Sequence, residues 1–197
     1  MPIKQVFQAY EGMGETDPRH FKYCPRCGTS LIFQERGGRH RPGCPQCGFV
    51  QYRNPLPGVV VVIEQDGQVL LGKRAGGFGQ GKWGLPQGFI EFEEDFLTAA
   101  RREVREETNL AVEIRSILNV VSNQLSPQLH TLVVIVLARV TGGVAHPGDD
   151  LEALVWFPLK GPLPNMAFEA DTAVIRRYRE SKFDDGLPVD PAFSGKT

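Results

Sequence analysis

The hydrophobic pattern is clearest in the middle of the chain. Residues 59–64 form a β-branched run suited to a strand buried on both faces. Asp66-Gly67 follows as a two-residue hairpin signal, and residues 69–74 read as the return strand. A glycine-rich stretch at 75–82, AGGFGQGK, breaks the pattern and is expected to be a mobile loop. From about Asp95 to Thr108 the period changes to that of a helix, with Phe96, Ala100 and Val104 on one stripe. Residues 112–121, 131–140 and 154–157 read as further strands. Residues 168–180 read as a second amphipathic helix, with Ala170, Val174 and Tyr178 on its packing face. The tail, SKFDDGLPVDPAFSGKT, has turn residues and no period. The pattern predicts an α/β (α+β) fold with helices packed on a sheet.

Turn residues divide the chain. Tyr52-Arg53-Asn54-Pro55 and Pro57-Gly58 mark a linker. The expected organisation is an N-terminal extension (1–20), a small cysteine module (21–53), the main domain (54–180) and a tail (181–197). No apolar run approaches the roughly 20 residues of a membrane span. The first residues lack the apolar centre of a signal peptide. A cytoplasmic protein is expected, where disulfides are disfavoured.

All four cysteines fall in the small module. Cys24-Pro-Arg-Cys27 is separated by sixteen residues from Cys44-Pro-Gln-Cys47, and a glycine, Gly28 or Gly48, follows each pair. Two such knuckles can place four thiolates tetrahedrally around Zn²⁺. Two disulfides or unconnected thiols are the alternative. The module is too small for a core of its own, so a metal would supply its folding energy. The net charge of the whole chain is -1, which gives no general attraction to nucleic acid or anionic lipid. Between Pro18 and Arg53, however, seven Lys/Arg face one acid, Glu35. The favoured reading of this module is a structural cap or dimerisation element. Contact with nucleic acid or substrate through its basic face is the other.

The main chemical signal is acidic. Glu103, Glu106 and Glu107 are three and four residues apart, which gathers them within about 100° of one helix face. Like charges at this spacing destabilise a bare helix by a few tenths of a kcal/mol. With Glu94 nearby, a divalent cation would offset that repulsion, and hard carboxylate oxygens suit Mg²⁺ or Mn²⁺. The bland alternative is a solvated face on which Arg101, Arg102 and Arg105 pair with the acids.

The complete spacing resembles a known family. Gly88, five residues, Glu94, seven residues, then Arg102-Glu103-Val104-Arg105-Glu106-Glu107-Thr108-Asn109-Leu110 is similar to the Nudix box, G-x5-E-x7-R-E-U-x-E-E-x-G-U with U aliphatic. Only Asn109 departs, standing where the family has a glycine after the helix. Asn is the next-best residue for the left-handed conformation usual there. The lead-in Trp83-Gly84-Leu85-Pro86 and the surrounding strands and helix also fit a Nudix α/β/α sandwich over about 54–180. The resemblance implies that Glu103 and Glu107 are the principal Mg²⁺ (or Mn²⁺) ligands, with Glu106 completing the set. It implies that Glu94 supports that site, that Arg102 orients the glutamates, and that Gly88 lets its backbone approach the metal. It implies a general base outside the box, for which Asp149, Asp150 and Glu152 are candidates.

A four-cysteine zinc ribbon before such a domain resembles two groups. One is the NADH pyrophosphatases, some of which remove NAD caps from RNA; their SQPWPFP-type signature is replaced here by VVSNQLSPQLHTLVVIV. The other, favoured, is the FAD pyrophosphatase-like group, whose Tyr-x-Asn-Pro linker matches Tyr52-Arg53-Asn54-Pro55 and whose later helix begins Ala167-Phe168. It implies a pyrophosphohydrolase that cleaves the diphosphate of FAD, ADP-ribose or a related dinucleotide into two monophosphates. The alternatives are NADH or NAD-cap hydrolysis, or a nucleotide-sensing regulator that binds nucleic acid. The small-molecule nucleotide is the expected partner, and a homodimer is consistent with the resemblance. Among nearby aromatics, Trp83 and Phe89 are expected in the core. Phe78 is balanced between packing and gripping a flat base.

Overall fold

The computed structural model describes residues 20–126, 129–180 and 187–188. Nearly all of the expected extension and tail lie outside these residues. The chain forms two compact units. One comprises the described residues of Ala9–Pro55 and Gln124–His130. The other comprises those of Leu56–Asn123 and Thr131–Thr197.

The smaller unit is organised by its two knuckles. In each, the first cysteine exchanges backbone hydrogen bonds with the turn that follows. Cys24 N donates to Thr29 O and Gly28 N to Cys24 O; Cys44 N donates to Phe49 O and Gly48 N to Cys44 O. Gly28 and Gly48 both have φ +74°, a left-handed conformation that a Cβ would strain. Between the knuckles, strands β1 (Ile32–Glu35) and β2 (His40–Gly43) form an antiparallel hairpin, from Ile32↔Gly43 to Glu35↔His40.

The larger unit is built on β3 (Leu56–Gln65), whose residues 59–63 are all buried, as the β-branched run predicts. It turns through Asp66 and Gly67, with φ +52° and +74°, into β4 (Gln68–Arg74). Two consecutive left-handed residues match the twist of the paired strands. Along the chain there follow β5 (Trp83–Gly84), β6 (Gln87–Phe89), α1 (Phe96–Thr108), β7 (Leu110–Ser126), β8 (Leu129–Gly143), β9 (Leu151–Pro158), α2 (Glu169–Arg179) and β10 (Leu187–Pro188), with residues 124–126 of β7 and 129–130 of β8 counted in the smaller unit. The hydrophobic pattern locates all the long elements. It misses the two- and three-residue strands β5 and β6 and the small hairpin, which are too short to show a period.

The sheet order is β10-β7-β8-β3-β4-β5, with β6 beside β3 and β9 beside β4. Strand β3 runs parallel to β8 from Leu56↔Thr131 to Ile63↔Ala138, and antiparallel to β6. Successive β3 side chains point to opposite faces. Val59, Val61 and Ile63 pack with Leu97, Ala99, Ala100 and Val104 of α1. Val60 and Val62 pack with Val174 and Ile175 of α2. The sheet therefore lies between two helices, and the expected α/β/α sandwich is the observed fold.

One polar contact secures the second helix. Asp171 is buried in its first turn, and its Oδ2 accepts a hydrogen bond from Leu85 N at 3.1 Å. Burial pushes its carboxyl up to about 7, opposed by the Leu85 amide and the Arg74 charge. A carboxyl that is harder to ionise folded than unfolded makes the folded state bind more protons between about pH 4 and 7. Stability from this group is therefore full below that window and is lost as pH rises through it. Asp171→Asn should flatten the fall in stability from pH 5 to pH 8, measured by urea denaturation. An unchanged pH dependence would contradict this.

Candidate active site

Helix α1 carries the acidic cluster, and both its ends are fixed locally. Asp95 caps the N-terminus, its side chain accepting from Leu97 N at 2.8 Å and Thr98 N at 2.9 Å. Asn109 ends the helix at φ +59°, with its amide donating to Arg105 O at 3.0 Å. This is the left-handed position expected where the box has glycine. The Asn109 side chain also donates to Val144 O at 3.1 Å, a bond that glycine cannot make.

The box residues converge on one guanidinium. Arg102 Nη2 and Nε bond the two Glu94 oxygens at 2.5 and 3.1 Å. Its Nη1 bonds Glu103 Oε1 at 2.7 Å and Glu106 Oε2 at 3.0 Å, and Nη2 also donates to Phe89 O at 3.0 Å. The bidentate hydrogen bonds from Arg102 hold the Glu94 carboxyl below its ordinary range, and burial opposes this. Glu103 and Glu107 are turned inward, only 7% and 2% exposed. Burial raises the Glu103 carboxyl, opposed by Arg102. Burial pushes Glu107 up to about 9, aided by the charges of Asp150 and Glu103 and opposed by the Gln87 amide. Glu107 Oε2 accepts that Gln87 N–H at 3.0 Å. Inward carboxylates this dry, each raised by burial, are groups whose charge a hard cation would compensate.

Gly88 lies directly against this cluster, in β6 opposite Val59. A Cβ there would fall 2.0 Å from the Glu103 carboxyl carbon. The glycine is required by the close approach of backbone to carboxylate, since its φ is ordinary.

The structure separates the three loop acids. The segment before β9 packs on the end of α1, with His146 N donating to Thr108 O and Gly148 N to Glu107 O, both at 3.0 Å. This brings Asp149 close enough to repel Glu103, and Asp150 close enough to repel Glu107. Asp150 Oδ2 pairs with Arg74 at 2.8 Å, while its Oδ1 is buried without a hydrogen-bond partner. Glu152 instead pairs with Lys73 at 2.6 Å, with both side chains partly exposed. Arg74, at the end of β4, and the Gln87 amide were not singled out in the sequence. A cation closing an apolar strand beside a glycine-rich loop is the one local sign of Arg74.

The aromatics sort differently from expectation. Trp83 packs as expected, edge-on to Phe157 at 5.1 Å. Phe89, the last residue of β6, is half-exposed rather than in the core. The glycine-rich loop is closed by hydrogen bonds from Gly81 N to Arg74 O, Lys82 N to Gly79 O and Gln80 Nε2 to Ala75 O.

In the smaller unit, the four cysteine sulfurs lie within 4.8 Å of one another. The Cys24–Cys47 and Cys27–Cys44 sulfurs are 3.5 and 3.4 Å apart, well beyond the ~2.05 Å of a disulfide. All four thiols are free. Arg26 N and Cys47 N point at Cys24 Sγ and Cys44 Sγ at 3.4 and 3.5 Å. This arrangement can hold a tetrahedral metal ion.

Gly88→Ala is expected to leave the fold intact, because the group it displaces is the flexible end of Glu103. Moving that carboxylate should lower turnover about a hundredfold. Thermal melting with steady-state kinetics checks this; near-normal turnover would show that Glu103 need not hold its place.

Comparison with known proteins identifies the family. A family model described as the NUDIX domain matches residues 54–178. The ADP-ribose pyrophosphatase of Methanocaldococcus jannaschii is 34% identical over 132 residues, covering 66% of this chain and 77% of that protein. The NAD-capped RNA hydrolase NudC of Pseudomonas aeruginosa is 34% identical over 149 residues; the alignment covers 74% of this chain but spans only 51% of NudC. The crystal structure of a NUDIX hydrolase from Nitrosomonas europaea is 29% identical with a TM-score of 0.71, covering 86% of this chain and 97% of that one. No helix among the described residues is long and apolar enough to cross a membrane. The box geometry, the sandwich and these matches agree, and the chain belongs to the Nudix hydrolase family.

Proposed function

We propose that this protein is a Mg²⁺- or Mn²⁺-dependent pyrophosphohydrolase acting on a nucleoside diphosphate derivative of the ADP-ribose type, FAD included. The observation that carries this reading is the buried pair Glu103 and Glu107, with the part-exposed Asp150 acting on Glu107 and with Arg102 bound to Glu94, Glu103 and Glu106. In this reading Glu103, Glu106 and Glu107 hold the metal ion. Bound there, it would polarise a diphosphate oxygen and lower the pKa of a water. Arg102 and Glu94 act as a clamp that fixes the glutamates before substrate arrives. Asp150 accepts a proton as water attacks phosphorus, and the bridging oxygen leaves on the second monophosphate.

The similarity to the ADP-ribose pyrophosphatase of Methanocaldococcus jannaschii supports an ADP-ribose-type substrate. The lack of an SQPWPFP-type segment after the box weighs against NADH and NAD-capped RNA, despite the similarity to NudC. The four free, clustered thiols support a structural Zn²⁺ in the smaller unit and a reducing, cytoplasmic location.

Incubation with Mg²⁺ and a panel of ADP-ribose, FAD, NADH, NAD-capped RNA and deoxynucleoside triphosphates tests the assignment. The expected result is release of AMP from ADP-ribose or FAD, reduced at least a hundredfold by Glu106→Gln. Faster cleavage of NAD-capped RNA would overturn it. Asp150→Ala should lower turnover by about 10²- to 10⁴-fold with Mn²⁺ affinity retained, as expected for a lost general base. Near-normal turnover would dismiss Asp150 from that role.

A further inference from the structure

Arg74 makes more directed contacts than a surface cation requires. It leaves the end of β4 with a side chain only 15% exposed. One arm, Nη2, pairs with Asp150 Oδ2 at 2.8 Å. A second, Nε, donates to Phe78 O at 2.8 Å, in the glycine-rich loop. The guanidinium carbon also sits 5.8 Å from the centroid of the Phe168 ring. The Phe78 ring stacks on that same Phe168 ring, with centroids 5.4 Å apart and planes 27° from parallel. One side chain thus contacts the candidate base, the loop backbone and one ring of the aromatic pair.

We infer that Phe78 and Phe168 form a shelf for the flat ring of a nucleotide substrate, and that Arg74 is a positioning residue joining this shelf to Asp150. The inference rests on the pyrophosphohydrolase reading and deepens it, because it assigns the part of the substrate that is not a phosphate. All four residues belong to one compact unit.

Phe78 remains 55% exposed although Phe168 covers one side of its ring. It is also held in place. Gly79, next to it, lies so close to the start of α2 that a Cβ would meet Ala167 Cβ at 2.7 Å. Together with the bonds that close the loop, this presents an aromatic surface at low entropic cost to binding. A base stacked on an aromatic side chain gains about 1–3 kcal/mol whatever its hydrogen-bonding edge. Such a shelf suits adenine and flavin alike. The fork of Arg74 bonds Asp150 and the Phe78 carbonyl with separate nitrogens, so a shift of the loop is transmitted to the carboxylate. Lysine, a single point charge, can hold only one of the two.

Two measurements test this. In calorimetric titration of the full chain, Phe78→Ala should weaken AMP binding about tenfold and leave ribose 5-phosphate binding unchanged, with Phe78→Tyr restoring AMP affinity. Equal AMP affinity in wild type and Phe78→Ala would remove the shelf. In kinetics on ADP-ribose, Phe78→Ala should raise KM about tenfold with kcat within twofold. Arg74→Lys, which keeps a charge beside Asp150 and loses the bond to the Phe78 carbonyl, should raise KM by a similar factor with a smaller fall in kcat than Arg74→Gln, and the double variant should have a KM no worse than either single one. Independent, multiplying effects on KM would remove the coupling. Arg74→Gln should lower kcat about tenfold as well; if it does not fold, the Phe78 and Lys variants still decide. If the wild-type protein hydrolyses nothing, the proposed function fails while the AMP titration still decides the shelf.

Discussion

The arrangement of the larger unit turns on the cost of placing carboxylates together out of water. Glu103 and Glu107 face inward on the buried side of α1, and Asp150 brings a third carboxylate with an unpaired buried oxygen. Without compensation such a cluster is strongly unfavourable. Arg102 compensates part of it, binding Glu94 through both oxygens and reaching Glu103 and Glu106 with Nη1. Glu107 and Asp150 lie beyond its reach. Arg74 pairs with Asp150, and its charge also acts on Glu107. Inward carboxylates without a full cationic partner, which burial makes hard to ionise, are the physical basis for reading the site as a cation cradle rather than a salt-bridged helix face.

The surrounding fold can be understood as support for this cluster. Gly88 lets β6 pass against Glu103, and the Gln87 amide anchors Glu107. The segment before β9 is stitched to the end of α1, so Asp149 and Asp150 arrive beside the glutamates from 40 or more residues away in sequence. The β3 strand holds both helices through alternate side chains, which makes the position of α1 a property of the whole core.

Much of this was legible in the sequence, for identifiable reasons. The β-branched run of β3, the Asp66-Gly67 turn and the helical stripe of α1 are local signals, and each appears where its chemistry predicts. The box spacing placed Glu94, Glu103 and Glu106 within reach of Arg102. Asn109 in the left-handed conformation shows why its departure from glycine is tolerated. What the sequence left open depends on long-range contact. Asp149, Asp150 and Glu152 are neighbours in sequence, and only the packing of their segment distinguishes them. The stacking of Phe78 on Phe168 joins residues 90 apart. The exposure of Phe89 was not legible, because the three-residue β6 carries no period to reveal it. The cysteine knuckles were fully legible, because every cysteine is used in two matching turns.

The central claim is that the inward glutamates form a cation site. Direct titration of the protein with Mn²⁺, followed by electron paramagnetic resonance of the free ion, tests it without reference to any substrate. The account predicts saturable binding that weakens at least tenfold in both Glu103→Gln and Glu107→Gln, with thermal stability retained in each. Binding that is unchanged in these two variants would place the cation elsewhere and return the cluster to an Arg-paired helix face.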